Sequence, residues 1–313
     1  MATTQMSSLA SAGTAAFEQL AYFALRSQPM FEMVCDVKST NQSHAGATIL
    51  FTKYSDLAQA TTALHEINDV TPATMGDAQI TVTLAEYGNS VQTTAKARGT
   101  HFLNIDSDAA NIIGYNMADS LDNIVHDELT EGTNVLYGGD ATNTGELAAT
   151  DIMTAALIRK AVANLRTDSA PTFNGGVYVG FIHPDVSYDL RNATTVTDVI
   201  AHQNQQNAGA IRNGSIGVYG GVDFIETPRV ELTADAGASN VDEYKTIICG
   251  KQALAKGFSR GAGFGENPSV VFGPVTDSLR RLNTVGWYHL VGYKRFREES
   301  IRRIETSSSI GTN

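Results

Sequence analysis

The sequence lacks the features that mark several large classes of protein. Only two cysteines are present, Cys35 and Cys249, and we expect both to be buried free thiols. No apolar run approaches the roughly eighteen residues that a membrane-spanning helix needs. The 22 Lys and Arg residues are outnumbered by 33 Asp and Glu residues, and the net charge is −11. This charge argues against a protein that coats nucleic acid through a broad basic surface.

The amino terminus also lacks a targeting signal. Residues 1–16 are rich in Ala, Ser and Thr, with no basic residue and no apolar core, so they resemble neither a signal peptide nor a transit peptide. We therefore expect a soluble protein that is made in the cytoplasm. A chain of 313 residues with 42% hydrophobic residues can form one large domain or two ordinary ones, and wholesale disorder is excluded.

Catalytic motifs are weak. The segment 257–261 reads GFSRG and matches the GxSxG nucleophile elbow around Ser259. That elbow requires a helix directly after the turn, whereas Gly263, Gly265 and Pro268 follow here. A phosphate-binding loop needs the same strand and helix context, so the glycines do not indicate one. A serine esterase that uses Ser259 is kept as an unfavoured alternative.

Metal-binding motifs are also missing. The histidines show no HExxH or other close ligand spacing, and no cysteine pair supports a zinc site. The seven positions are 44, 65, 101, 126, 183, 202 and 289. The sequence thus predicts no catalytic residue, no metal site and no cofactor, and it favours a protein that is not an enzyme.

The strongest secondary-structure signal is a long amphipathic helix over residues 104–131. Its apolar residues recur every three or four positions and form one stripe. They are Ile105, Ala109, Ile112, Ile113, Met117, Leu121, Ile124, Val125 and Leu129. Asp106 and Ser107 are candidate N-caps, and Gly132 is a candidate stop. No residue of this helix forms an evident catalytic group, so we interpret it as a structural support.

Two strands, predicted over 47–54 and 79–87, flank a polar segment of about twenty residues at 55–77. A loop of this length inside a compact domain is usually functional or disordered. We predict a long hairpin-like loop that extends from the subunit and binds something.

The rest of the chain mixes helices and strands without a βαβ rhythm, so we predict an α+β fold. Asp151 is expected to cap a second helix, and a third is expected to start at Pro184. Gly220 and Gly221 indicate a two-residue hairpin, and 257–268 reads as a glycine-rich loop. Strands are predicted over 177–182, 216–219, 222–225, 244–249, 270–272, 284–293 and 300–305.

A basic cluster stands out near the carboxyl terminus of this acidic chain. Its members are Lys294, Arg295, Arg297, Arg302 and Arg303. They could contact nucleic acid phosphate, or they could form ion pairs with Glu298 and Glu299 or across a subunit boundary. We favour ion pairing because 294–305 reads as an alternating strand with carboxylate partners nearby.

The order of these elements, together with several segments, resembles the major capsid proteins of tailed bacteriophages. That family has the Hong Kong 97-type fold, and the branch that the segments resemble is that of the coat protein of N-four-like podophages. The segments are TLAEYG at 83–88, YVGFIHPDVSYDLR at 178–191, NGSIGVYGGVDFIETP at 213–228, TVGWYHLVGY at 284–293 and RRIETSSS at 302–309. The resemblance covers nearly the whole chain from Phe17 onward.

The resemblance implies a division of the chain. Residues 1–46 would be the N-terminal arm, and 47–87 the E-loop and its base strands. Residues 88–150 would belong to the peripheral (P) domain, with the spine helix at 104–131. The axial (A) domain would span 151–270, and 271–313 would return to the P-domain strands and the carboxyl-terminal tail.

It also implies a function and partners. The chain would be a structural coat protein that self-assembles, as hexameric and pentameric capsomers, into an icosahedral head shell around double-stranded DNA. Expected partners are a scaffolding protein, which would be separate or absent, a portal and a decoration protein, with weak contacts to the packaged DNA and none to a membrane. The protein would be located in the virion after assembly in the host cytoplasm. An encapsulin-like compartment shell is the alternative on the same fold.

Overall fold

The computed structural model describes residues 26–39, 47–64, 66–67, 69–100, 105–173, 175–192, 217–260, 264–274 and 278–310. Most of the predicted N-terminal arm lies outside these residues. So do four of the seven histidines and the first part of the predicted strand at 216–219.

The described chain contains both helices and strands, which confirms the predicted α+β class. The helices are α1 (Ala95–Thr100), α2 (Ile105–Thr130), α3 (Ala155–Thr167) and α4 (Pro184–Asn192). The first strands are β1 (Cys35–Ser39), β2 (Thr48–Tyr54), β3 (Asp77–Thr83), β4 (Ala85–Thr94), β5 (Val135–Tyr137), β6 (Tyr178–Ile182) and β7 (Val218–Tyr219). The later strands are β8 (Val222–Glu226), β9 (Leu232–Thr233), β10 (Glu243–Cys249), β11 (Leu254–Phe258), β12 (Ser269–Pro274), β13 (Leu282–Arg295) and β14 (Ile301–Thr306).

The first sheet is built around the long strand β13. One side of β13 pairs antiparallel with β4. The other side pairs first with β12 and then with β11, and β1 extends the sheet parallel to β11. We call this assembly sheet 1. The separate two-stranded hairpin β2–β3 is antiparallel.

The second sheet has the order β5–β14–β10–β6–β8–β7, and β9 pairs with β10 beside β6. We call it sheet 2. Its hairpin β7–β8 turns through Gly220 and Gly221, whose φ angles of 60° and 91° suit glycine, as the sequence predicted.

Helix α2 lies between the two sheets and forms the centre of one core. Its residues Leu121, Val125 and Leu129 share that core with Val285, Trp287, Val291 and Tyr293 of β13 and with Phe181 and Ile247 of sheet 2. Most of the predicted apolar stripe of this helix is therefore buried against strands of the two sheets. Ile112, which was placed on the stripe, is instead 46% exposed.

A second core covers the other face of sheet 2. Ile158, Val162 and Leu165 of α3 pack there, as the periodicity predicted. Side chains alternate across the sheet, so Ile248 belongs to this core while its neighbour Ile247 belongs to the α2 core. Sheet 2 is thus buried on both faces.

Several predicted boundaries were wrong for identifiable reasons. The single strand predicted over 79–87 is divided at Leu84, because the chain leaves the hairpin there and continues as β4 against β13. Gly257 and Phe258 belong to β11, although we predicted a loop from residue 257. The predicted strand over 294–305 is interrupted by a short 3-10 turn at Glu298–Ser300, and its two parts belong to different sheets.

The predicted helix caps were also wrong. Thr154, rather than Asp151, caps α3, because its hydroxyl accepts the N–H of Leu157 at 3.3 Å. The Asp151 carboxylate accepts the N–H of Ala148 at 2.8 Å instead. Helix α2 starts at Ile105, which places Asp106 and Ser107 inside its first turn.

Candidate assembly surface

The hairpin β2–β3 holds the predicted loop at a defined place on the subunit. Its strands pair without a break from Thr48 and Thr83 to Tyr54 and Asp77. A further bond, from the N–H of Ser55 to the carbonyl of Gly76 at 2.9 Å, closes the pairing at the outer end. A strand is therefore confirmed on each side of this segment, although the second one ends at Thr83, and the loop 55–76 begins at a hydrogen-bonded base.

The base of the hairpin is seated on a pair of glycines. Gly257 of β11 and Gly292 of β13 lie directly opposite each other in sheet 1. A Cβ atom at Gly292 would overlap the carbonyl oxygen of Thr83, and one at Gly257 would lie 3.1 Å from Ile49 Cδ1. The backbone of the hairpin thus requires glycine at position 292, and Val82 is fully buried at this contact.

The loop 55–76 itself contributes no buried residue to the described core. It nevertheless carries large apolar side chains. Leu64 and Ile67 are 79% and 85% exposed, and Leu57, Val70 and Met75 are also exposed. Several large exposed apolar side chains on one segment are typical of a surface that a partner covers.

Helix α2 is tied to sheet 2 by a buried ion pair. Arg229, in the segment after β8, donates from Nε to Asp122 Oδ2 at 2.8 Å and forms a second ion pair with Asp119. The backbone N–H of Phe31 donates to Asp122 Oδ1 at 2.7 Å. Burial raises the pKa of Asp122, while Arg229 and the Phe31 N–H act in the opposite direction. The pair fixes the helix against its neighbours.

One turn further along α2, His126 makes a similar connection. Its Nε2 accepts the N–H of Glu231 at 3.2 Å. Burial lowers the pKa of His126, so the neutral imidazole that accepts this bond is favoured. The histidine is a packing and hydrogen-bonding residue here.

The basic cluster near the carboxyl terminus forms intramolecular ion pairs. Lys294 pairs with Glu128 at 3.3 Å, and Arg295 pairs with Glu298 at 2.9 Å. Arg302 pairs with Asp168, and Arg303 with Glu305 at 2.6 Å. The favoured interpretation is confirmed for these four residues, although only Glu298 was a predicted partner. The guanidinium of Arg297 lies 5.8 Å from the Phe296 ring centroid.

The candidate nucleophile Ser259 does not lie in an elbow. It is buried and follows β11, but residues 264–268 contain no helix.

Within the described ranges, no group of three His, Cys, Asp or Glu side chains could hold a metal ion. No helix in the described part of the chain is long and apolar enough to cross a membrane. Burial holds the thiol pKa of Cys249 at about 12, and Cys35 is only half-buried.

Sequence reasoning missed the buried charged residues. Asp122 and His126 lie on the polar side of the helical pattern, yet both are buried because α2 is covered on two sides. Glu243 and Glu305 are buried next to each other in sheet 2. The signal that could have identified Glu243 is its position directly before the predicted strand 244–249. That strand is part of β10, in which every residue is buried or half-buried.

Comparison with protein families gives one match that covers almost the whole chain. The family model described as "Phage capsid protein" matches residues 4–310. A comparison with curated proteins gives no match.

Solved phage capsid structures are similar over nearly their full length. The capsid of Ralstonia phage GP4 is 18% identical with a TM-score of 0.75, covering 96% of this chain and 97% of that chain. The capsid of cyanophage Pam1 is 14% identical with a TM-score of 0.75, covering 96% and 98%. The capsid of Helicobacter pylori bacteriophage KHP30 is 12% identical with a TM-score of 0.74, covering 98% and 99%. At these identities the similarity establishes the fold.

Proposed function

The chain belongs to the phage capsid protein family, and we propose that it is the major capsid protein of a tailed bacteriophage. Many copies would assemble through hexameric and pentameric capsomers into an icosahedral shell around double-stranded DNA. The observation that carries this proposal is the loop 55–76, which exposes Leu64 and Ile67 on a rigid hairpin base. In the shell this loop lies over a neighbouring copy.

The segments take the roles that the family resemblance implies. Residues 47–87 form the E-loop and its base, 104–131 the spine helix within 88–150, and 151–270 the A domain. Residues 1–46 act as the arm, and 271–313 return to the P domain. Strand pairing joins the segments 151–270 and 271–313 in two places, since β11 pairs with β13 and β14 with β10. The division therefore describes segments of the chain more than separate sheets.

The physical properties of the chain suit a shell subunit that does no catalysis. An acidic subunit with a net charge of −11 has little attraction for packaged DNA, so contacts with the genome are weak. Cohesion comes from small interfaces that are repeated by symmetry over many copies. Four of the five basic residues near the carboxyl terminus, Lys294, Arg295, Arg302 and Arg303, are engaged in ion pairs within the subunit.

Further partners follow from the way in which such shells are built. A separate scaffolding protein guides assembly, a portal occupies one vertex, and a decoration protein binds the outside. Assembly takes place in the host cytoplasm, and the finished protein is located in the virion.

Negative-stain microscopy of the expressed chain, with its scaffolding protein where needed, tests the proposal. We expect capsomers or closed shells. A strictly monomeric species at high concentration with scaffold present would contradict it. The material that copurifies with the shells separates two cases, because DNA indicates a virus and an enzyme indicates an encapsulin-like compartment.

A further inference from the structure

Sheet 2 carries a group of buried and half-buried charged side chains on the face that is turned toward α2. Ile247 of β10 belongs to the α2 core. Because side chains alternate along a strand, Glu243 and Lys245 lie on the same face of β10 as Ile247. In the register of the two strands, Lys245 lies opposite Glu305 of β14 and Ile247 lies opposite Arg303. Four charged side chains therefore share this face of two paired strands.

The charges of this group are paired with one exception. Lys245 forms an ion pair with Glu231, which directly precedes β9, and Arg303 forms one with Glu305 at 2.6 Å. Glu243 is only 3% exposed, yet it forms no ion pair of its own within the described part of the chain. A buried charge without a partner is costly. An ionised Glu243 thus calls for one positive charge that the described residues do not supply.

Two buried oxygen atoms at this place also have no hydrogen-bond partner within the described chain. They are Oε1 of Glu243 and Oγ of Ser307, and Ser307 is 0% exposed. Ser307 follows β14 directly and stays extended, since it forms a bridge with Ile152. The register of β10 and β14 places Ser307 opposite Glu243, on the same face as Glu305. Buried polar atoms are nearly always partnered, so the two oxygens indicate a group that both of them contact.

We propose that this place binds a monovalent alkali cation, Na⁺ or K⁺. The ligands from the chain are the carboxylates of Glu243 and Glu305 and the hydroxyl oxygen of Ser307. Oxygen ligands of this kind suit hard cations. The hydroxyl of Thr144 lies beside them, because it donates to Glu305 Oε2 at 2.7 Å.

The charge count favours a monovalent ion. Lys245 and Arg303 each neutralise one carboxylate, so a single negative charge is left over when Glu243 is ionised. One positive charge balances it, whereas a divalent ion would leave an excess positive charge beside two basic side chains. The donor set agrees with this choice, since it contains two carboxylates and no third His, Cys, Asp or Glu side chain from the described ranges.

The ion would join parts of the chain that lie far apart in the sequence. Glu243 belongs to β10, whereas Glu305 and Ser307 lie in and directly after β14. A bound ion would therefore stabilise the pairing of these two strands. A ligand that binds only the folded state raises Tm, so the stability of the subunit should depend on which cation the solution contains.

Thermal unfolding of the unassembled subunit in the chloride salts of Na⁺, K⁺ and choline tests the proposal. The salts are compared at equal concentration and at about pH 8, above the pKa of about 7 to which burial and Glu305 raise Glu243. Choline has the same charge but is too large for a buried site, so it screens charges without binding there. We expect Tm in Na⁺ or K⁺ to exceed Tm in choline by about 2–5 °C. Equal Tm values in the three salts would overturn the proposal.

Variants locate the site. Glu243→Gln removes the charge and keeps the shape of the side chain, so we expect the Tm difference between the alkali salts and choline to disappear. Ser307→Ala removes one neutral ligand, and we expect a higher concentration of Na⁺ or K⁺ to be needed for half of the Tm rise. Glu131→Gln is the control, because it removes an exposed carboxylate after α2 and should leave the difference unchanged. A difference that persists in Glu243→Gln would overturn the site.

Rubidium gives the position directly, because Rb⁺ resembles K⁺ and has a measurable anomalous X-ray signal. In crystals of the unmodified subunit grown in rubidium chloride, we expect an anomalous peak between Glu243 and Ser307. Peaks at other places only, or no peak, would overturn the site. Neither result bears on the proposed function, since the assembly of shells does not enter into this proposal.

Discussion

At the scale of single residues, the subunit is stabilised by a few buried charges that join distant parts of the chain. Arg229 is the clearest case, because its guanidinium reaches both Asp119 and Asp122 on α2 from the segment after β8. The side chains of Arg229 and Asp122 are only 7% and 3% exposed. Removal of one partner from a buried pair leaves the other charge without compensation.

We therefore expect Arg229→Met to lower the free energy of unfolding by about 3–5 kcal/mol. Urea denaturation of the unassembled subunit measures the change. Arg98→Met is the control, since the pair Arg98–Asp106 is 3.7 Å long and partly exposed and should contribute less than about 1 kcal/mol. Similar losses in the two variants would show that the buried pair has no special role.

The buried carboxyl groups of Glu243 and Glu305 form a second residue-scale feature. Glu305 accepts hydrogen bonds from Thr144 Oγ1 at 2.7 Å and Arg303 Nε at 2.6 Å. Burial, together with the hydrogen bond to Glu305 and its charge, raises the pKa of Glu243 to about 7, while Lys245 and Arg303 act in the opposite direction. Glu243 therefore holds a proton in acid and loses it near neutral pH.

The raised pKa makes the stability depend on pH with a definite sign. In the unfolded chain the pKa of Glu243 returns to its ordinary value of 4.5. The contribution of its proton to stability is fully present below that value and is lost as the pH rises through about 7. Burial lowers the pKa values of His126, His183 and His289, and their effect on stability has the opposite sign below pH 6.5. The test is therefore the difference between two chains that share these histidines: we expect Tm of Glu243→Gln to rise relative to that of the unmodified chain between pH 5 and 8, because the amide does not ionise. A Tm difference that does not change with pH would refute the assignment.

At the scale of elements, the helix α2 shows what a sequence pattern can predict. Its length and most of its buried stripe follow from the spacing of apolar residues, because one face must be covered whatever the partner is. The burial of Asp122 and His126 could not be predicted in this way. It depends on a second covering layer, and that layer comes from residues about a hundred positions away in the chain, such as Arg229.

The strands show the same limit. The alternation in β3 identified a strand, yet it could not reveal that the chain changes partners at Leu84, because alternation within a strand does not specify which strand it pairs with. The exposed loop was predicted from length and low apolar content, but its apolar residues Leu64 and Ile67 were not recognised as an exposed set. The pairing of Gly257 with Gly292 under the hairpin could not be predicted from the sequence either, because the two residues are 35 positions apart.

The glycine pair gives a prediction at this scale. Gly292→Ala should displace β3, because the new methyl group meets the backbone oxygen of Thr83 and backbone cannot yield easily. We expect a loss of about 1–3 kcal/mol in the free energy of unfolding. Hydrogen exchange of the β2–β3 amides should accelerate in this variant.

Gly257→Ala is the matched control, because its methyl group meets only the ends of the Ile49 and Val82 side chains at 3.1 and 3.3 Å. Side chains can shift by a few tenths of an ångström, so its loss should be the smaller one. A larger loss for Gly257→Ala would show that the hairpin is not seated as described.

At the scale of the whole molecule, the subunit consists of a packed body with two cores and of the loop 55–76, which lies outside them. Two sheets enclose α2, and α3 and α4 cover sheet 2. The loop 55–76 lies outside both cores and exposes its apolar residues. Subunits with this division can fold independently and then associate through surfaces that only a neighbour completes.

Sedimentation velocity on a loop deletion tests most directly whether the loop 55–76 serves assembly and not folding. Deletion of residues 59–74 keeps the Ser55–Gly76 backbone bond that closes the hairpin. We predict that the deleted chain unfolds with an unchanged Tm and sediments as a subunit or small oligomer, under conditions in which the intact chain forms shells. Shells formed by the deleted chain, or a deleted chain that fails to fold, would contradict the account.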